Sequence, residues 1–305
     1  MGERAESKTE SFSRRKFLGQ TATAGGAAII GAAAAANSRA QEASKVEEPS
    51  GKQEPSKSTS TNGAGAAPSA TAQSRGTMVE YKSGDLMIPA YLSLPKKKSI
   101  APGAVLVIHE VFGLNDHIKS VADRISNEGY VALAPNLFVR AAEPPPKDAT
   151  DMAALRKAAS SIPNEVAIKD MQAGLDYLKT VKSARPHFAS IGFCMGGGFS
   201  YQIATHTKDL AGAAIFYGRT PLELVPAVSC PLLGSFGSLD TGIPPEKVKE
   251  FEDALQKAGK QADIKVYEGA KHGFFNDTRP EAYNAEAAAD AWQRVLKFFH
   301  ERLGK

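Results

Sequence analysis

Cysteine is scarce in this chain. Cys194 and Cys230 are the only two among 305 residues, which permits at most one bridge and excludes a disulfide-built scaffold. Excess charge of one sign is scarce too. The formal net charge is +4, and residues 1–40 carry six Lys/Arg (Arg4, Lys8, Arg14, Arg15, Lys16, Arg39) against three Glu (Glu3, Glu6, Glu10). That leader supplies +3 of the total, so the rest of the chain has no basic surplus of the kind a nucleic-acid partner would need. The leader also lacks a full apolar span. Its Ala- and Gly-rich run, Thr21 to Ala36, is about 16 residues where a membrane helix needs roughly 20.

What the leader does hold is Ser13-Arg14-Arg15-Lys16-Phe17-Leu18-Gly19 ahead of that run. A charged region, a modest apolar stretch and small residues at its end describe a secretory signal. The Arg14-Arg15 pair resembles a twin-arginine signal, which implies the twin-arginine export machinery as a partner, a periplasmic destination and transport of the folded chain. Cleavage is expected after Ala36 or Ala40, leaving no stable membrane span. From Gln41 to Thr77 the only large apolar residue is Val46, too little buried surface to offset the entropy of ordering. Residues 41–77 are therefore expected to be a disordered tether, and residues 78–305 one folded domain.

In that domain Met78–Tyr81 and Leu86–Leu94 read as strands around Ser83-Gly84-Asp85, pairing antiparallel at one edge. Ala104–Ile108 is a continuous apolar run, as in a central strand buried on both faces. Asp116–Asn127 has helical periodicity and stops near Gly129. Strands are expected at Tyr130–Pro135, His187–Phe193, Ala211–Tyr217, Pro231–Phe236 and Ile264–Tyr267. Helices are expected around Ile168–Leu178, at Met195–Thr205, Pro245–Ala258 and about Ala282–Leu303. This alternation predicts an α/β fold with a mostly parallel central sheet and helices on both faces.

One turn stands out. A strand ending at Ile191 runs through Gly192-Phe193-Cys194-Met195-Gly196-Gly197-Gly198 into a helix. This is the setting of a nucleophile elbow, with cysteine where serine is usual and glycines allowing strand and helix to approach closely. The helix N-terminus favours an anionic sulfur, and the N–H of Met195 would face a developing oxyanion. A packed thiol beside a phosphate-binding turn is the plainer alternative, but the spacing fails the dinucleotide fingerprint. Cys230, opening a buried strand, reads as structural.

An α/β-hydrolase sheet orders its triad as nucleophile, acid, histidine. After the elbow and its helix come His272 and His300. His300 falls in the last turns of an amphipathic helix, whereas His272 follows the last strand, where such sheets place active-site loops. Among the acids between Cys194 and His272, Asp240 also follows a strand end, in Gly237-Ser238-Leu239-Asp240, while most of the others decorate helix faces. Cys194, Asp240 and His272 are thus the candidate triad, with Asp240 orienting the imidazole.

Together with His109-Glu110-Val111-Phe112-Gly113-Leu114, Ala134-Pro135-Asn136-Leu137-Phe138 and the run around His272, these residues resemble the dienelactone hydrolase (carboxymethylenebutenolidase) family, across essentially all of 78–305. The resemblance implies an α/β-hydrolase fold and a lactone or small-ester hydrolase. It implies that Glu110 helps activate the thiol when substrate binds and that the Val111 N–H is the second oxyanion donor. It also implies two arginines for a substrate carboxylate. Arg140 matches one, and the other position, four residues after the histidine, is Asn276. That change removes a bidentate clamp, and Arg279 is a possible substitute three residues on. Phe112, Tyr217 and Phe274, with Arg140 and Asn276, are the candidate substrate-lining residues.

The expected chemistry is thiolate attack on a small-molecule ester or lactone, then hydrolysis of the thioester through His272, by a monomer needing no metal or organic cofactor. Two other readings stand beside it. One is a periplasmic redox thiol, for which Cys230 would be the resolving partner. The other is an exported ligand-binding protein on the same fold without turnover.

Overall fold

The computed structural model describes residues 75–96, 100–146 and 150–304. The leader, nearly all of the tether, and Lys97 and Lys98 lie outside the described residues. β1 (Thr77–Ser83) starts one residue before the expected boundary, and Arg75 ahead of it already donates its backbone N–H to Asp123.

β1 pairs antiparallel with β2 (Leu86–Ser93), and β2 with β4 (Val131–Pro135). The remaining neighbours are parallel: β3 (Ala104–Ile108), β5 (Phe188–Phe193), β6 (Leu210–Phe216), β7 (Leu232–Gly237) and β8 (Ala262–Tyr267). The order across the sheet is β1-β2-β4-β3-β5-β6-β7-β8. β3 and β5 sit in its middle and are buried at every position, which is why β3 reads as an unbroken apolar run.

Two apolar layers cover the sheet. On one face lie α1 (Asp116–Asn127) and α6 (Ala285–Leu303), which contribute Ile118, Val121, Ile125, Val295, Phe299 and Leu303. On the other lie α3 (Asn164–Thr180), α4 (Met195–His206) and α5 (Pro245–Lys257), through Met171, Leu175, Phe199, Ile203, Phe251 and Leu255. A further short helix, α2 (Met152–Ser160), buries only Leu155 and Ala158. The fold is that of an α/β-hydrolase. Parallel pairing carries the C-terminal ends of β3, β5, β6, β7 and β8 to one edge, and the loops leaving that edge hold the candidate residues. Among the described residues no helix is long and apolar enough to cross a membrane.

Candidate active site

The site begins with a backbone conformation that residues other than glycine rarely adopt. Between β5 and α4, Cys194 adopts φ 54° and ψ −115°. With Tyr217 it is one of two non-glycine residues at positive φ among those described. Such conformations cost about 1–3 kcal/mol and persist only where the surroundings enforce them. Here the enforcement is close packing. A Cβ on Gly192 would lie 1.9 Å from the Gly196 carbonyl oxygen, and one on Gly196 would lie 2.2 Å from that of Ile108. Without side chains at these positions, α4 starts directly against the ends of β5 and β3. The half-buried thiol is held above the sheet edge.

Cys194 Sγ lies 3.0 Å from His272 Nε2, and His272 Nδ1 lies 2.6 Å from Asp240 Oδ2. The other Asp240 oxygen accepts the N–H groups of Gly242 and Ile243 at 2.9 and 3.0 Å. The carboxylate is buried and fixed, while the imidazole is 40 % exposed. Burial alone would draw His272 down, but its hydrogen bonds and charge interactions with Asp240 and Cys194 outweigh it and push the ring up to about 10. Burial alone would likewise raise Asp240, and the bonds from His272 and the two backbone N–H groups reverse this and hold it below 3.8. The geometry makes His272 a proton acceptor for the thiol, oriented from behind by an anion.

The loop after β3 supplies the opposite wall. His109 is fully buried, and its Nε2 accepts the Leu137 N–H at 3.0 Å, so its proton sits on Nδ1 and is donated to the Glu110 carbonyl at 2.7 Å. Desolvation holds this ring down at about 4, leaving it neutral. It ties the Glu110–Val111 loop to the turn after β4. Val111 is buried there. Met195 opens α4, so its N–H has no acceptor within the helix.

Glu110 is 2 % exposed. Its Oε2 accepts the Asn276 amide at 2.5 Å and its Oε1 the Tyr217 hydroxyl at 3.4 Å. The orientation of the Asn276 amide is fixed, because its Oδ1 accepts the Thr278 N–H at 3.1 Å. In the free protein the Glu110 oxygens face Asn276 and Tyr217, and the sulfur faces His272. The Tyr217 ring stands 5.1 Å from that of His272. Burial first, then the charges of Glu110 and Cys194, raise its hydroxyl well above 10. One tyrosine thus bonds the carboxylate and packs against the imidazole that faces the thiol.

Several expected substrate contacts are corrected. Arg140 is committed elsewhere, since Nε and Nη2 bind the two oxygens of buried Asp170 at 2.9 Å each and Nη2 also reaches the Ser83 carbonyl. Asn276 is fully buried and serves Glu110. Phe274 is a core residue, packed 5.2 Å from Tyr267 and 5.4 Å from Tyr217. Tyr217 is itself fully buried, so it supports the wall more than it lines an opening. Phe112 is half-buried, with the Arg279 guanidinium 5.0 Å from its ring centre. Arg279 also pairs with exposed Glu281. Sequence reasoning missed Asp170, whose only signal was an acid on an otherwise apolar helix face.

The model of the dienelactone hydrolase family matches residues 88–303. The chain belongs to the dienelactone hydrolase family. It is 35 % identical to "Putative carboxymethylenebutenolidase" of Saccharolobus solfataricus, over 74 % of this chain and 98 % of that one. It is 34 % identical to the protein of the same name in Escherichia coli K12, over 73 % and 85 %. Among solved structures, a "Putative Dienelactone Hydrolase" from Klebsiella pneumoniae superposes with a TM-score of 0.70 at 29 % identity, over 74 % of this chain and 98 % of that one. Like the family it belongs to, the protein is a hydrolase.

Proposed function

We propose that the protein hydrolyses lactones or small carboxylic esters with Cys194 as nucleophile, His272 as general base and acid, and Asp240 as its orienting anion. The carrying observation is the imidazole bonded at both nitrogens, 3.0 Å from the sulfur and 2.6 Å from a buried carboxylate. With the thiol proton already held on Nε2, Sγ attacks the carbonyl carbon as the thiolate. The N–H groups of Val111 and Met195 receive the oxyanion. As the C–O bond breaks, His272 returns the proton to the leaving oxygen. A water then gives its proton to His272, attacks the thioester, and frees the acid and the thiol. Glu110, bordering the same Tyr217 hydroxyl as the thiol, is a second anion that acts on the sulfur once substrate displaces its present partners.

A redox role with Cys230 is disfavoured by topology. Cys230 precedes the N-terminal end of β7, whereas Cys194 follows the C-terminal end of β5, and the connecting sheet is parallel. The two are separated by roughly a strand length, about 20 Å at ~3.3 Å per residue, and a disulfide needs Cα atoms within about 7 Å. Burial also pushes the Cys230 thiol up to about 12. Turnover of simple lactones and activated esters by purified protein tests the proposal. Loss of that turnover in Cys194→Ala supports it, and undiminished turnover contradicts it.

The same reading makes the protein an exported monomer, carried by twin-arginine machinery through Arg14 and Arg15. Cell fractionation of Arg14→Lys/Arg15→Lys tests this, with retention in the cytoplasm expected and unchanged export contradicting it.

A further inference from the structure

We infer that the cleft at Cys194 is built for an uncharged ester or lactone, one with no free carboxylate beside the scissile carbonyl. This rests on the nucleophile reading given above and concerns which substrates that nucleophile meets.

The argument is a charge census of the groups around the sulfur. Glu110 is buried, and its two oxygens accept from Asn276 and Tyr217, both of them neutral donors. The Thr278 N–H fixes the Asn276 amide so that it can only donate toward Glu110. Hydrogen bonds from neutral groups hold the anion in place without cancelling its charge. Asp240 is a second buried anion, and His272 balances that one. The side-chain oxygens of Glu110 are thus bonded by neutral donors and by no cation.

The cations nearby are spent or peripheral. Arg140 gives its fork to Asp170. Arg279 lies against Phe112 and pairs with exposed Glu281, and its charge reaches Tyr217 from the rim. Lys271 is exposed and donates to the Glu281 carbonyl. Arg219, after β6, is exposed to solvent, where salt screens its field. A substrate carboxylate would thus enter against Glu110 with no buried cation to receive it. Two like charges within roughly 7 Å at an effective dielectric of about 20 disfavour the complex by about tenfold or more.

Alkylation of Cys194 reads this field without requiring turnover. The sulfur displaces iodide from neutral iodoacetamide or anionic iodoacetate, forming the same S–C bond in both cases. Rates at Cys194 are followed by peptide mass and normalised to a small uncharged thiol at the same pH and salt. The expected iodoacetamide-to-iodoacetate ratio exceeds that of the small thiol by about tenfold or more, and Glu110→Gln brings it down. In parallel, methyl 4-acetoxybenzoate should be hydrolysed with a kcat/KM about tenfold above that of 4-acetoxybenzoate.

A ratio at or below that of the small thiol overturns the inference. So does a preference for the anionic ester that disappears in Arg279→Gln or Arg219→Gln, which would make a rim arginine a carboxylate site. Failure to hydrolyse either ester contradicts the hydrolase reading instead, while the alkylation ratio still decides this one.

Discussion

Nε2 of His272 stands 3.0 Å from Sγ of Cys194 although 78 positions separate the two residues in the chain. The parallel sheet closes that distance, because it brings the loop after β8 over the end of β5. The charge of this pair depends on pH, and so should the stability of the fold. His272 has its pKa raised from 6.5 to about 10, so its contribution is complete below about pH 6.5 and is lost as the pH climbs through 10. Asp240 is shifted the other way, below 3.8, so its contribution is present above that pH and lost as the pH falls. The stability advantage of wild type over His272→Gln, from urea unfolding, should be largest near pH 5–6 and narrow steadily toward pH 10. An advantage that widened over that range would contradict the assigned pairing.

Asp240→Asn keeps a carbonyl oxygen for the Gly242 and Ile243 N–H groups but presents an NH2 or the wrong tautomer to His272. Turnover should fall by about 10²–10⁴-fold, with far-UV circular dichroism and melting nearly unchanged. A loss of only a few-fold would assign the orienting anion elsewhere.

Gly192→Ala tests the elbow as a packing device. The added Cβ would meet a backbone oxygen at 1.9 Å, and backbone cannot rotate away as a side chain can. Destabilisation at or beyond the upper end of the usual ~1–3 kcal/mol for overpacking is expected in denaturant melts. Wild-type stability would show that helix and strand are not pressed together there.

Behind the loop that carries His272 and Asn276, Asp277 lies 3.2 Å from buried His117. It also faces Arg124, whose guanidinium lies over Trp292 at 4.1 Å and Phe275 at 5.1 Å. Asp277→Asn removes the anion that His117 and Arg124 face and should cost about 1–3 kcal/mol of stability. Calorimetry that detects no shift in Tm would show that this cluster does not anchor the loop.

Much of this was legible in the amino-acid sequence because period and order carry it. The buried strands announce themselves as apolar runs, α1 was placed at its observed bounds, and the glycines around Cys194 require a close approach. The order of Cys194, Asp240 and His272 along the chain also follows from strand-end positions alone. Partner choice was not legible. Arg140 turns to Asp170 and Asn276 to Glu110, and both pairings join residues far apart in the chain across loops whose paths the local pattern does not encode. The burial of Phe274 and Tyr217 was not legible for a related reason, since an aromatic residue after a strand end can line a cleft or complete the core beneath it. Here Phe216, Tyr217, Tyr267, Phe274 and Phe275 pack on one another and fill that space. α2 escaped notice because Ala-rich helices with two buried residues leave almost no periodic signal.

The central claim is that Cys194 becomes acylated during turnover. A slow ester mixed with enzyme, quenched in acid and analysed by intact and peptide mass should show one acyl group per chain, on Cys194, removable by hydroxylamine. An acyl group on another residue, or a Cys194→Ala protein that turns over the same ester at the wild-type rate, would contradict the account.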